Sequence, residues 1–336
     1  METKRIQSFI SQNAIYIVLV LLIVAIAIYD PSFLGLNPLR DVLNQSSTRI
    51  IIALGVAFIL ITGGTDLSAG RIVGLTAVVS ASMLQVTDYS RRFFPNLGEI
   101  NFLLPIGLAI LVGLIFGLIN GVIVAKFKVP PFIATLGTMV AVYGVNSLYF
   151  DMDPNNSQPI GGLRRDFTKI FGTGSFGFGG VSIPNIVLIA IIVSIFVWVV
   201  FNKTKLGKNM YAIGGNQQAA KVSGINVGRN LIYIYSIAGA LYGLAGVLEA
   251  ARTGGATNNY GNMYELDAIA ACVVGGVSTT GGIGTVPGVV TGVLIFTVIN
   301  YGLTFIGVSP YWQLIIKGSI IVAAVAFDMR KYAAKR

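Results

Sequence analysis

The sequence predicts an all-α polytopic membrane protein with about ten transmembrane helices. Only 11% of its 336 residues are charged and 54% are hydrophobic. Soluble domains usually carry about 25% charged residues, and a charged side chain is costly in hydrocarbon. Long uncharged runs recur along the chain, and basic residues concentrate between them. These observations together favour a bilayer as the solvent of most of the chain.

The uncharged runs place the individual helices, because a spanning helix needs about 20 apolar residues. Residues 6–29 follow two basic residues, as in a signal peptide, but residues 28–31 make a poor cleavage site, so we expect a retained helix. Two shorter helices, residues 50–65 and 72–87, are joined by a glycine-rich turn at residues 63–68. Further helices are predicted within residues 100–125, 129–150, 170–202, 230–248 and 311–327.

No charged residue occurs between residues 268 and 316. A single helix of that length would extend roughly 74 Å at about 1.5 Å per residue, whereas the hydrocarbon core is about 30 Å thick. Six glycines between Gly275 and Gly288, together with Pro287, mark a turn. The run is therefore predicted to form two helices.

The distribution of basic residues predicts the orientation, since cytoplasmic loops carry an excess of Lys and Arg. With both termini cytoplasmic, more than half of the 23 basic residues, Arg71 among them, fall in inner segments. Residues 151–183 then form a long periplasmic loop. Most acidic residues fall in loops or near helix ends.

The longest inner segment, residues 202–229, contains a candidate docking element. Asn216 is a good N-cap for a short helix over residues 217–222, and Ser223 and Gly224 supply its C-terminal stop. One interpretation is an ordinary positively charged inner loop. The other is a helix that lies in a groove of a partner protein, with Ala219 and Ala220 permitting close approach.

Four stretches resemble bacterial ABC-type monosaccharide permeases. They are SSTRIIIALGVAFILITGGTDLSAGRIVG (46–74), GLINGVIVAKFKVPPFIATLGTM (117–139), NKTKLGKNMYAIGGNQQAAKVSGINV (202–227) and ELDAIAACVVGGVSTTGGIGTVPGVVTGV (265–293). They occur in the family's order, and the resemblance is closest to its galactose/methyl-galactoside branch, ahead of the ribose branch. It covers about residues 15–332 with interruptions in the outer loops.

The resemblance implies a single ten-helix permease domain, residues 1–336, in the bacterial inner membrane. It implies a homodimer that imports a monosaccharide, a cytoplasmic ATPase with two nucleotide-binding cassettes, and a periplasmic sugar-binding protein. ATP and Mg²⁺ would be used by the ATPase, and this chain would bind no cofactor. The residues expected to dock the ATPase are Asn216, Gln217, Ala219, Ala220, Lys221, Ser223 and Gly224.

The residue types exclude several other functions. The chain has no His, so a histidine metal site or a Ser-His-Asp triad is impossible. It has no G-x-x-x-x-G-K-[ST] phosphate loop, so we expect it not to hydrolyse ATP itself and to have no catalytic residues. The net charge of +10 is explained by membrane topology, so no nucleic-acid partner is expected.

Polar residues within the helices are candidates for a sugar path or a gate. Asn120, Thr135 and Asn300 either line the path or form interhelical hydrogen bonds, and we favour the second interpretation. Lys317 is expected to pair with Glu249 or Asp267 and to close the outer side of the pathway. Small residues at Gly113, Gly117 and Gly121 are expected to permit close helix packing.

The main alternative function is an ion-coupled secondary sugar transporter. Such a protein would place acidic residues deep within its spanning helices. Asp66, in the turn at residues 63–68, could belong to an ion site in a broken helix, but we favour a structural role in the turn. Dependence of transport on ATP separates the two functions.

Overall fold

The computed structural model describes residues 17, 20–21, 23–178 and 181–333, and it is mostly helical. Within these residues, six helices are long and apolar enough to cross a membrane. They are α1 (Leu36–Ile61), α3 (Leu103–Lys126), α4 (Pro131–Asp151), α6 (Asn185–Lys203), α9 (Val227–Thr253) and α11 (Val286–Phe305). The other helices are α2 (Ala69–Met83), α5 (Arg165–Thr168), α7 (Lys205–Gly215), α8 (Gln217–Val222), α10 (Tyr264–Val274) and α12 (Pro310–Ala333).

The predicted first span, residues 6–29, lies largely outside the described residues, although residues 23–29 are helical. A short 3₁₀ helix, Pro31–Leu34, connects them to α1, and Asp30 Oδ1 accepts a hydrogen bond of 2.9 Å from Ser32 N. Helices α2, α10 and α12 lie where the remaining spanning helices were predicted. The count of ten spanning helices stays a prediction.

Helix α1 is longer than predicted, because it begins at Leu36 and not near residue 50. The prediction stopped at charged residues that the structure accommodates inside the helix. Asp41 accepts a hydrogen bond from Tyr301, and Arg49 pairs with Asp267. Every residue from position 50 to position 61 is buried, with α6, α9, α10 and α11 packed around α1. This helix is therefore the centre of the core.

Helices α3 and α9 pack through glycines, as predicted from the spacing of small residues in α3. A Cβ added to Gly117 would lie 3.0 Å from the Cα of Gly239, and one added to Gly113 would lie 2.9 Å from the Cα of Gly243. Real Cβ atoms scarcely make such contacts with backbone. Glycine at these positions is therefore what lets the two backbones touch.

The predicted turn in the uncharged run is present and lies between α10 and α11. Gly281 and Gly282 have φ values of +90° and +76°, which favour glycine. The Gly282 N–H donates to the Ile61 carbonyl at the end of α1 (2.8 Å), and the Tyr211 hydroxyl of α7 donates to the Gly284 carbonyl (2.8 Å). The two glycine-rich turns and α7 thus meet at one end of the molecule.

The segment predicted as a long loop, residues 151–183, contains short regular elements in a chain that is otherwise helical. After α5 and a π-helical turn, Lys169–Thr173, the strands β1 (Ser175–Phe178) and β2 (Val181–Pro184) form an antiparallel hairpin, with Ser175 opposite Pro184. The sequences SFGF and VSIP alternate with a period of two, which is typical of strands. Backbone hydrogen bonds of 2.9 Å in both directions between Ile160 and Ala256 attach the segment to the bundle.

Candidate docking helix and translocation path

The candidate docking helix α8 has the start and stop that its sequence predicts. The Asn216 side chain accepts a hydrogen bond from the Ala219 N–H at 2.9 Å. Beyond the helix, Gly224 has a φ of +84°, which only glycine adopts without strain. A six-residue helix is too short to be stable in isolation, so these end contacts and its packing on the permease hold it.

Most of α8 is open to solvent. Gln217, Ala219 and Lys221 are exposed, as are Ser223 and Gly224 after its end. The prediction that Ala220 contacts a partner needs correction, because its side chain is only 4% exposed and packs against the permease itself. The other residues of α8 are exposed to solvent, because only one face of the helix packs against the permease. Ala220 lies on that face.

Val222, the last residue of α8, is not among the residues predicted to dock a partner. Its side chain is 89% exposed, the largest exposed fraction among the large hydrophobic residues that the structure describes. An apolar side chain in a segment with five basic and no acidic residues was the available signal. We therefore add Val222 to the candidate docking surface of α8.

Helix α7 connects α8 to the end of the bundle where α1 ends. Its Met210 and Ile213 are buried, and Gly214 sits so close to the Ile61 carbonyl that a side chain there would overlap it. Motion of α8 therefore has a direct mechanical route to the end of α1.

Glu249 of α9 is the centre of a buried polar cluster. It is 3% exposed and receives hydrogen bonds from Thr48 Oγ1 (3.0 Å) and the Tyr264 hydroxyl (3.0 Å). The Arg252 guanidinium binds both of its carboxylate oxygens, at 3.2 and 2.7 Å. The carboxylate is thus fully paired, as a buried charge requires.

Lys317 pairs with Asp267 and not with Glu249. Its Nζ lies 3.2 Å from Asp267 Oδ2, and the same oxygen accepts a 2.7 Å bond from Arg49 Nη1. One carboxylate therefore binds two cations and joins α1, α10 and α12. A small cavity of about 10 Å³ lies beside this triad, lined by Arg49, Tyr264, Asp267, Thr297 and apolar side chains. Whether the triad acts as a gate stays a prediction.

Asn120 and Thr135 are fully buried; Asn120 forms a hydrogen bond to a neighbouring helix, and Thr135 forms one to the turn at residues 63–68. Asn120 Nδ2 donates to Ser68 Oγ (2.9 Å), and Asn120 Oδ1 accepts from Thr138 (2.6 Å). Thr135 Oγ1 accepts from the Leu67 N–H at 3.1 Å. Asn300 is also buried, but neither of its amide atoms has a partner among the described residues. The role of these three residues in a sugar path stays untested.

Four acidic residues are buried, although each lies in a turn or near a helix end, as the sequence predicts. Asp66, Glu249, Glu265 and Asp267 are 2%, 3%, 7% and 9% exposed. The Oδ1 of Asp66 accepts hydrogen bonds from Ser68 N (2.8 Å) and Ser68 Oγ (2.6 Å), which supports a structural role in the turn at residues 63–68. Folding of the connecting segments between the helices brings these carboxylates inside.

Within residues 151–183, Arg164 forms a two-point contact with Asp166, at 3.1 and 2.5 Å. These hydrogen bonds lower the pKa of the Asp166 carboxyl below its usual value. The Arg164 Nη1 also donates to the Ile100 carbonyl before α3 (2.8 Å). The pair fixes the start of α5 against the bundle.

Comparison with known proteins identifies the family. The model of the family described as "Branched-chain amino acid transport system / permease component" matches residues 39–325. Galactose/methyl galactoside import permeases of Haemophilus influenzae and Escherichia coli K12 are 55% and 54% identical over 336 residues, covering 100% of this chain and 99% of each relative. The ribose import permease of Escherichia coli K12 is 37% identical over 326 residues, 97% of this chain and 96% of that relative. No solved structure matches the chain.

These matches confirm the family resemblance, and with the six spanning helices they confirm a multi-pass protein of the inner membrane. The family model covers most of the chain and the import permeases cover all of it. The chain therefore belongs to this family of transport-system permeases.

Proposed function

We propose that the chain is the membrane-spanning subunit of an ATP-binding-cassette importer of galactose and methyl galactosides. The observation that carries the proposal is the identity of 55% over the full chain to a galactose/methyl galactoside import permease, against 37% to a ribose import permease. The identity of 55% extends over the whole chain, so it includes the surfaces that could contact the sugar as well as the helical scaffold.

We propose ten spanning helices with both termini in the cytoplasm. The two glycine-rich turns, α7 and the docking helix α8 would lie at the cytoplasmic end. The excess of basic residues in residues 202–229 supports this direction. The hairpin and α5 would then face the periplasm, where residues 151–183 could receive a binding protein.

We propose three protein partners. A cytoplasmic ATPase with two nucleotide-binding cassettes would hold ATP and Mg²⁺ and bind the exposed surface of α8, including Val222. A periplasmic protein would deliver the sugar, and a second copy of this chain would complete the pathway. The exposure of an apolar side chain on α8 supports the first of these contacts.

We propose that Lys317, Asp267 and Glu249 stabilise a closed outer side of the pathway. Asp267 joins three helices through two cations, and Glu249 joins α9 to α1 and α10. Opening would require these pairs to separate. Asn120, Thr135 and Asn300 remain candidates for the path lining in another conformation.

The proposal is tested by ATP hydrolysis in the reconstituted assembly of permease, ATPase and binding protein. Galactose-loaded binding protein should raise the hydrolysis rate, and sugar-free binding protein should raise it less. The variant Val222→Asp should lose this stimulation, while Val140→Asn, at an exposed position remote from α8, should keep it. Hydrolysis indifferent to galactose and to the Val222 change would contradict the proposal.

An ion-coupled transporter is the second candidate, and the buried carboxylates favour it more than the sequence suggested. Asp66 and Glu265 are buried and have no cationic partner within salt-bridge distance among the described residues. The family membership weighs against this function.

A further inference from the structure

A polar cluster lies where α2, α4 and the segment before α10 meet. Arg71, near the start of α2, donates a hydrogen bond of 2.6 Å from Nη2 to Asn262 Oδ1. Its guanidinium carbon lies 4.3 Å from the centre of the Tyr143 ring. The cation thus lies over an aromatic face while one of its nitrogens binds an amide. Arg71 thus lies in the first turn of α2 and not in the connection between two helices.

The cluster lies near the middle of α4, and therefore near mid-membrane if α4 spans the bilayer. Tyr143 is about 18 Å along the axis of α4 from Pro131, at about 1.5 Å per residue, and the hydrocarbon core is about 30 Å thick. Helix α4 is one of the six helices able to span it. A cation and several amides therefore sit at the depth where hydrocarbon tolerates them least.

The chain brings these amides to mid-depth by bending inward after α9. Residues 254–263 run beside α2, and Gly70 and Gly74 leave room there for the carbonyls of Gly261 and Tyr260, which any side chain would overlap. The segment is held to α4 by Asn146 Nδ2, which donates to the Asn258 carbonyl at 3.3 Å. The polar surface is therefore built into the fold.

Part of this cluster faces outward and part of it lacks a hydrogen-bond partner. Tyr143 is 41% exposed, and Asn262 is exposed as well. Arg71 Nη1, Glu265 Oε2 and Asn146 Oδ1 are buried without a partner in the part of the chain that the structure describes. Glu265 and Asn146 are 7% and 1% exposed. Buried polar atoms normally have a partner, so the cluster has bonding capacity that the chain itself does not fill.

We propose that Arg71, Tyr143, Asn262 and Glu265 form the hydroxyl-binding lining of the sugar path at mid-membrane. Guanidinium and amide N–H groups donate to hydroxyl oxygens, a carboxylate accepts from hydroxyl hydrogens, and the Tyr143 ring offers an apolar face to the C–H face of a pyranose. Hydrocarbon offers none of these contacts. This inference rests on the proposed function, since it names the surface that the imported monosaccharide touches.

The test uses thiol accessibility in the assembled transporter in proteoliposomes. Cys272, the only cysteine, is buried, so a Cys272→Ala background is first required to import galactose. Asn262→Cys is then compared with Ile192→Cys, whose position on α6 is 66% exposed among apolar neighbours. The probe is a charged, membrane-impermeant methanethiosulfonate, which reacts with the thiolate and therefore requires water around the sulfur.

We expect the cysteine at position 262 to react at least about tenfold faster than the one at position 192, because only the former meets water. Adding galactose-loaded binding protein and ATP should slow the reaction at position 262 alone. Equal reactivity at the two positions would overturn the lining. If the cysteine at position 262 reacts fast but galactose does not slow its reaction, the surface is not the one that binds the sugar.

Failure of the proposed function itself would be seen separately, as absence of ATP-driven galactose uptake by the unmodified chain. If a second copy of the chain covers position 262 and no path lies there, the cysteine at that position would not react. That result would also count against the proposed lining.

Discussion

Asp267 is a single, largely buried carboxylate that pairs with two cations. Its Oδ2 accepts from Arg49 at 2.7 Å and from Lys317 at 3.2 Å, and the carboxylate side chain is 12% exposed. The two cations depend on one anion. Removing the anion leaves two like charges close together, whereas removing one cation leaves a normal ion pair.

This asymmetry predicts unequal effects of two neutral substitutions. Asp267→Asn should destabilise the permease by about 2–3 kcal/mol, since it leaves partly buried cations unpaired. Lys317→Met should cost about 1 kcal/mol or less, because Arg49 still pairs with Asp267 and the lost pair is partly solvated. Thermal unfolding in detergent measures both. Equal losses of thermal stability would show that Lys317, and not the shared carboxylate, holds the helices.

Local contacts were predictable from the sequence, whereas most contacts between distant residues were not, the Lys317–Asp267 pair being an exception. Asn216 caps a helix three residues away, and such a pattern is visible in the sequence. Arg49 and Asp267 are 218 residues apart, and Thr48 and Glu249 are 201 apart. Nothing in the local sequence announces those partners. For the same reason the burial of Glu249 and Glu265 was not expected.

At the scale of single elements, hydrophobic runs predicted the position of the helices better than their ends. The glycine turn between α10 and α11 followed from length alone, because no single helix fits the uncharged run. The start of α1 was misplaced because charged residues in a helix resemble a loop until their partners are known. The hairpin of residues 175–184 was too short, in a glycine-rich context, to stand out.

Close packing of α3 on α9 predicts a sharp contrast between two glycines of the same helix. Gly117→Ile should destabilise the protein by about 3 kcal/mol or more, because its side chain would meet the backbone of α9. Gly107→Ile is the matched control, since an added Cβ there meets nothing within 4 Å. Yield of folded protein and thermal unfolding measure the difference. Similar behaviour of the two variants would contradict the packing.

The cap of α8 predicts a graded loss of coupling. Asn216→Ala removes the bond to the Ala219 N–H and should cost the helix about 1 kcal/mol, which lowers the population of the ordered helix up to about fivefold. Galactose uptake at limiting ATPase concentration should fall by a similar factor. Asn216→Asp keeps a capping oxygen and should retain most of the uptake. An equal loss in both variants would point to a direct role of the amide in docking.

At the scale of the whole molecule, the features form a single route across the bundle. The exposed helix α8 connects through α7 to the ends of α1 and to the turn between α10 and α11. Helix α1 also carries Arg49 and helix α10 carries Asp267, which form the charged triad with Lys317 of α12. A partner that moves α8 would therefore act on the same helices that hold the charged triad. This connection is the physical basis for expecting transport that is driven by a partner protein.

The most direct test of that claim is uptake of labelled galactose into proteoliposomes that contain the permease, its ATPase and its binding protein. We expect uptake only with ATP inside the vesicles and binding protein outside, and loss of uptake in Val222→Asp with normal amounts of permease. Sodium or proton gradients without ATP should give none. Uptake by the permease alone, driven by an ion gradient, would contradict the account and would assign the buried carboxylates Asp66 and Glu265 to ion coupling.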